Sequence, residues 1–449
     1  MRMRPSLLLL ATLALTGIAL PSYAQRLGYP PEEFVARRKA LAAELKDGLV
    51  LLAGKTMPNV ATRGHQDNDF YYLTGNEDLN AVLVMNAATG DAHLFLPQQT
   101  DGEIRSDGPN WLADPDAPKR YGYASIQPLS LAAEFLARQR SNTARLWARL
   151  QEGDEVDDAR GMRAVHQARR MQNPFSAQLS EDTARIDLLR TRFSYFELQD
   201  VTPAIDRLRM IKTPREIEVL EANGRIAAEA IVKAIQATRA GRFEYEIEAE
   251  ATYHHLRNGV QIAGYPAIVG AGRNGLVWHY QDNGKRLEPG ETIVMDYGGA
   301  LDYEVIDITR TWPVSGRFDD LQRRAYACVL EAQKAGIAAM RPGNTRKQTR
   351  EIVEAVFKKH GFDTRWAGGA GHFVGMSVHD VGDASLPFAP GMVIAIEPIL
   401  QIADKNLHVR IEDTVLITEG DPVVLTAAAP KEIDALLALI QAPSTGPSK

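Results

Sequence analysis

The chain has 449 residues, 45% of them apolar, which exceeds one ordinary domain and supplies material for sizeable cores. Its formal charge of −6 disfavours nucleic acid and anionic membrane surfaces as partners. A single cysteine, Cys328, excludes an intrachain disulfide in any redox compartment.

The first element is a leader. Arg2 and Arg4 precede an apolar run over residues 7–20, which closes at Pro21 and ends in Ser22-Tyr23-Ala24, with small residues where a signal peptidase reads them. The run is shorter than the ~20 apolar residues of a span and contains Gly17, so a signal peptide over residues 1–24, cut after Ala24, is expected. Cleavage removes two arginines and no acids, taking the charge to −8, and no cysteine follows to carry a lipid. A periplasmic or secreted protein without membrane attachment is the expectation.

Residues 25–200 read as an α/β domain. Leu49-Val50-Leu51-Leu52-Ala53 has strand character, and residues 81–85 and 93–96 form a hairpin across Thr89-Gly90-Asp91. Helical spacing appears over 129–137 and around 184–189. A boundary falls within 200–212, because Thr213-Pro214-Arg215-Glu216 starts a helix: threonine caps, proline suits the first helical position, and Glu216 completes a capping box. Ile217, Leu220, Gly224, Ala228 and Ile231 continue it with helical spacing. This second domain spans 201–441, followed by a Pro/Ser/Gly tail over 442–449 that is expected to fray. Cys328, in the helical pattern of 322–338, reads as a small core residue rather than a nucleophile. No internal repeat is evident.

The chemistry lies in the second domain. Asp296 follows Ile293-Val294-Met295 and Asp307 is flanked by isoleucines, on two strands joined by a turn near residues 299–302. Gly368-Gly-Ala-Gly-His372 supplies an imidazole on a glycine-rich segment that lets backbone approach closely. Glu397 ends Met392-Val-Ile-Ala-Ile, and Glu412 sits in Val409-Arg-Ile-Glu412-Asp-Thr-Val, again in strand-like apolar runs. Each acid alone has an ordinary explanation, such as a turn cap or an ion pair with Arg410 for Glu412. Taken together, Asp296, Asp307, Glu397 and Glu412 carry four negative charges in apolar surroundings, which two divalent cations would neutralise. Such a pair of ions supports hydrolysis at neutral pH. Oxygen-rich coordination with one imidazole suits manganese, with zinc or cobalt as competitors.

These residues resemble the pita-bread metallopeptidases, the family of methionine aminopeptidase, aminopeptidase P, prolidase and the non-peptidase creatinase. The resemblance runs over essentially the whole mature chain. The ordered set Asp, Asp, His, Glu, Glu, the eleven-residue step from Asp296 to Asp307, and the phrases Asp-Ile-Thr-Arg-Thr and Arg-Ile-Glu-Asp resemble the aminopeptidase P and prolidase branch. It implies a creatinase-like α/β domain before a pita-bread catalytic domain. By it, Asp296 binds one metal, Asp307 and Glu412 bridge both, and His372 with Glu397 completes the other, Glu397 doubling as general base. His279 and His379 would face the substrate, contacting the scissile carbonyl and holding proline, with Arg410 as a further polar contact. Asp380 and Arg310 are candidates for supporting these residues. The N-terminal half resembles the branch through Gln66-Asp-Asn-Asp69-Phe-Tyr-Tyr-Leu-Thr-Gly75, which implies a homodimer or higher oligomer.

Two departures stand out. Residues 58–65 lack the acids that relatives often carry there, and Pro-Ile-Leu follows Glu397 where a glycine is usual, with a step of only fifteen positions from Glu397 to Glu412. The leading expectation is removal of the first residue from peptides with proline second. Alternatives are a prolidase confined to Xaa-Pro dipeptides, and a metal-free binding or creatinase-like protein, which would tolerate loss of a ligand; none is missing here.

Overall fold

The computed structural model describes residues 28–57, 65–176, 179–368 and 371–441. The expected signal peptide, residues 58–64 of the altered loop and the tail from 442 lie outside the described residues.

Leu49–Ala53 (β1), Val82–Asn86 (β2), Ala92–Leu96 (β3), Ser125–Pro128 (β4), Arg145–Ala148 (β5) and Glu197–Asp200 (β6) form a sheet in the order β4-β3-β2-β1-β5-β6. The hairpin read from sequence is β2–β3, and β2 also pairs antiparallel with β1; the β3–β4, β1–β5 and β5–β6 pairs are parallel. Strand alternation divides the apolar residues between two faces. Val50, Leu52, Leu83, Met85 and Leu94 pack with Leu41 of the helix Pro31–Leu45, whereas Leu49, Leu51, Val84 and Phe95 pack with Leu136 and Leu189 on the other side.

The stretch read as a boundary is largely a helix, Thr202–Met210, whose Ala204 and Ile205 belong to the first of these cores. The chain enters the second domain at Thr213, where the expected capping box forms: Thr213 N donates to Glu216 at 2.7 Å and Glu216 N to Thr213 Oγ1 at 3.2 Å. The helix Pro214–Ala237 follows, with Leu220, Ala228 and Ile231 fully buried.

The second domain has two halves with one plan, which no sequence repeat announces. A packed helix pair, Pro214–Ala237 with Glu244–Arg257 or Asp320–Ala339 with Arg346–Lys359, precedes a set of strands in each. The first set is Ile262–Ala263 (β7), Ile268–Ala271 (β8), Thr292–Asp296 (β9), Gly299–Leu301 (β10), Glu304–Val305 (β11) and Thr309–Pro313 (β12), in sheets ordered β12-β9-β8 and β11-β10-β7. The second is Trp366–Gly368 (β13), His372–Phe373 (β14), Val393–Ile396 (β15), Ile399–Ile402 (β16), Leu407–Arg410 (β17), Asp413–Leu416 (β18) and Val423–Val424 (β19), in sheets β13-β16-β17 and β14-β15-β18-β19. One core unites both halves, with Ile231, Met295, Trp312, Val329, Ile394 and Val409. Cys328 is buried in it, as expected. No helix among the described residues is long and apolar enough to cross a membrane.

The segment around the two aspartates is more elaborate than two strands and a turn. β9 and β12 pair directly, Asp296 opposite Thr309, while the residues between them fold out as a second hairpin, β10–β11, turning at Asp302-Tyr303. Gly298 permits this crossing, since a Cβ there would lie 1.6 Å from the Ile306 carbonyl oxygen.

Candidate metal centre

Strand ends deliver the five predicted donors to one place. Asp296 closes β9 and Asp307 precedes β12, both from the first half; His372 opens β14, Glu397 follows β15 and Glu412 lies between β17 and β18, all from the second. His372 Nε2 stands 3.4 Å from Asp307 Oδ2 and 3.9 Å from both Glu397 Oε1 and Glu412 Oε1. Single donor atoms of Asp307, His372 and Glu412 lie within 4.8 Å of one another. Asp296 joins through Tyr265, whose hydroxyl is 2.6 Å from Asp296 Oδ1 and 2.7 Å from Asp307 Oδ1. Gly371 is required for His372 to reach this position, because its φ is +97° and a Cβ would meet the Ala395 carbonyl oxygen at 2.0 Å.

The charges are poorly matched by protein cations. Arg410 Nη2 donates to Asp296 Oδ2 at 2.6 Å, and among the described residues it is the arginine paired with these acids. Burial nonetheless pushes the Asp296 carboxyl up to about 7, Arg410 opposing and Asp307 adding to the shift. Burial, followed by the charges of Asp307 and Glu397, drives Glu412 well above the usual carboxylate range, and burial raises Glu397 too. Asp307 goes the other way: burial would raise it, but hydrogen bonding and attraction to His372 hold it below the ordinary value. His372 is reciprocally raised, against the effect of burial, by Asp307. Tyr265 has one proton to donate to two carboxylates, so the four acids can all be ionised together only with further positive charge beside them.

The sequence-predicted residues fall into three groups. His279 and His379 are exposed beside the donors, the His379 ring 4.2 Å from that of His372. Partial burial and then His372 push His379 down to about 4; burial and then Arg410 lower His279. Both shifts favour the neutral imidazole. Arg410 is buried and committed to Asp296, rather than resting beside Glu412 as its position in the strand suggested. Arg310 supports Glu412 from behind, donating to its carbonyl oxygen at 2.6 Å and to Asp413 Oδ1 at 2.7 Å. Asp380 is not a support of this cluster: its carboxylate turns to Arg209 at 2.6 Å and Lys212 at 3.0 Å.

Sequence reasoning missed Tyr265, Thr309, Thr414 and Arg346. Thr309 Oγ1 donates to Glu412 Oε2 at 2.8 Å, and Thr414 brackets the Asp307 backbone, accepting from its N–H and donating to its carbonyl. Arg346 donates to the Gly371 carbonyl and faces Glu397. The partners of Tyr265 lie 31 and 42 residues away, so no local pattern marks it.

Residues 218–419 match the profile of metallopeptidase family M24, and residues 34–147 match that of the aminopeptidase P N-terminal domain. A Xaa-Pro aminopeptidase of Haemophilus influenzae is 30% identical over 440 residues, covering 90% of this chain and 96% of that protein. The chain belongs to metallopeptidase family M24. Aminopeptidase P from Escherichia coli, solved with the inhibitor Pro-Leu, aligns with a TM-score of 0.78 at 25% identity over 93% of this chain and 100% of its own. A Xaa-Pro dipeptidase of Pyrococcus furiosus is 36% identical over 234 residues, 51% of this chain and 67% of that protein. The matched N-terminal domain and the extent of coverage put this M24 member in the aminopeptidase P branch of the pita-bread fold, as its motifs implied.

M24 metallopeptidases use divalent metal ions, and the donor set fits them. Glu412 Oε1 is buried and accepts no hydrogen bond, an orphan acceptor among the other donors. A lone buried carboxylate oxygen is costly unless a cation meets it.

Proposed function

We propose that this protein is an exported, dinuclear Xaa-Pro aminopeptidase that releases the first residue of peptides with proline second. The observation that carries the reading is the charge imbalance: Asp307, Glu412 and the half-buried Glu397 gather around His372, Asp296 joins them through Tyr265, Arg410 is the arginine paired with them among the described residues, and Glu412 Oε1 lacks a hydrogen-bond partner. Asp296, Asp307, His372, Glu397 and Glu412 would hold two divalent ions, with manganese the best match to oxygen-rich ligation. Such ions, when bound, polarise a peptide carbonyl and lower the pKa of water. Glu397, less enclosed than Glu412, is the candidate general base. His279 and His379, as neutral imidazoles, would each have an N–H to donate to the substrate carbonyl and a flat face against proline.

The closing test uses purified mature protein: metal content by elemental analysis, then turnover of Xaa-Pro and Xaa-Pro-Yaa peptides with added manganese. Two ions per chain and cleavage of the longer peptide are expected. No bound metal with neither peptide cleaved would overturn the reading. Cleavage of the dipeptide alone would favour the second reading, a prolidase, which the likeness to the Pyrococcus dipeptidase supports. Export is tested by N-terminal sequencing of the protein from an osmotic-shock fraction, where Gln25 as first residue is expected. Assembly through the N-terminal domain is checked by sedimentation.

A further inference from the structure

The connection from Asp296 to Asp307 turns against the N-terminal domain. At the tip of β10–β11, Asp302 and Tyr303 both have positive φ, +46° and +72°, the geometry of a type I′ turn in which the second position favours glycine. A tyrosine is strained there. Its contacts explain why the strain is kept. The Tyr303 ring stacks on Tyr71, with centroids 3.4 Å apart and planes at 6°, and lies 3.8 Å from His65. Its hydroxyl accepts from Gln66 N at 2.9 Å and donates to Glu77 Oε1 at 3.0 Å. Tyr303 is thus part of the N-terminal core that contains Phe70 and Leu73.

A second loop is held by the same domain. Between His372 and His379, Met376 enters that same core, its carbonyl accepts from Asn68 Nδ2 at 3.2 Å, and Val378 N donates to the Val156 carbonyl at 2.9 Å. Val305 N donates to the Gly375 carbonyl at 2.7 Å, tying the two loops together. Both segments that join one candidate site residue to the next, Asp296 to Asp307 and His372 to His379, are therefore anchored outside the catalytic domain.

We propose that the N-terminal domain sets the spacing of the metal donors of its own chain, with Tyr303 as the positioning residue that pins the Asp296–Asp307 connection. This rests on the dinuclear reading above. The rival role is plain adhesion between domains, which would move stability and leave metal affinity alone. Two substitutions separate the roles. Tyr303→Gly suits the turn better and removes the anchor; Tyr303→Phe keeps the stack and removes both hydrogen bonds.

Manganese is titrated calorimetrically into metal-stripped full-length protein, alongside kcat, KM and the melting temperature of the metal-free form. Wild type binding two ions is expected, with Tyr303→Gly weakening at least one site by about tenfold or more, the size of effect seen when support of a metal ligand is lost. Its kcat should fall while KM stays nearly constant, and Tyr303→Phe should show a smaller loss of affinity. Wild-type affinity at both sites in Tyr303→Gly, even with a lowered melting temperature, would overturn the proposal. Should that variant not fold, unchanged affinity in Tyr303→Phe would overturn it equally. A wild-type protein that binds no manganese would instead sink the metal reading, and this inference with it.

Discussion

Among the described residues, two clusters of largely buried carboxylates meet the cost of burial differently. Near the domain junction, Asp67, Asp69, Asp154, Asp182 and Asp380 are met by Arg149, Arg160, Arg209 and Lys212, with Arg209 alone touching Asp69 at 2.8 Å and Asp154 and Asp380 at 2.6 Å each. In the catalytic domain, Asp296, Asp307, Glu397 and Glu412 share Arg410 and an imidazole. Despite burial, pairing holds Asp69, Asp154 and Asp182 below the ordinary range, whereas Asp296, Glu397 and Glu412 rise. Asp67 rises as well, because burial there outweighs an arginine shared with Asp69 and Asp182. Acid density alone does not distinguish the two clusters; the number of arginines and lysines that meet the acids does.

The strongest way to break the comparison is Glu412→Ala. Losing a donor at the centre of the unmatched cluster should forfeit at least one ion and lower kcat/KM by about 10³-fold, since a bound cation contributes several kcal/mol to transition-state stabilisation. Elemental analysis and steady-state kinetics read both effects, and near-wild-type turnover would refute the donor assignment. In the matched cluster, Arg209→Met leaves Asp69, Asp154 and Asp380 short of a partner inside the protein. Unfolding in denaturant should show a loss of about 3–5 kcal/mol that added manganese does not selectively restore.

Tyr265→Phe sharpens the contrast with a smaller change. Removing the hydroxyl that bridges Asp296 and Asp307 should weaken metal binding about 10–100-fold, read by calorimetry, while the fold survives because the ring remains packed. The smallest effect concerns acid. Asp182 is depressed from 3.8 to about 2, against burial, by Arg149, the Gly153 N–H and Arg185. A depressed carboxylate stabilises the fold fully above its unfolded value, and this contribution of about 2 kcal/mol is lost as pH falls from about 4 to 2. Denaturation curves of the wild type and Asp182→Asn across that window should converge toward pH 2.

The sequence by itself determined much of the catalytic domain. Acids embedded in apolar strand runs are conspicuous, and the four acids named from that signal lie together with His372. The capped helix at Pro214 and the β2–β3 hairpin were equally legible, because caps, turn residues and alternation act over a few residues. What only the tertiary structure decided is pairing over distance. Arg410 sits two residues from Glu412 yet serves Asp296, 114 positions away, and Asp380 follows His379 yet belongs to the junction network through Arg209, 171 positions away. Tyr265 and Tyr303 carried no local mark for the same reason: their partners lie tens to hundreds of residues off in the chain. Local sequence sets which side chains are buried and charged; folding alone determines which opposite charge arrives to meet them, and therefore which acids remain for a metal.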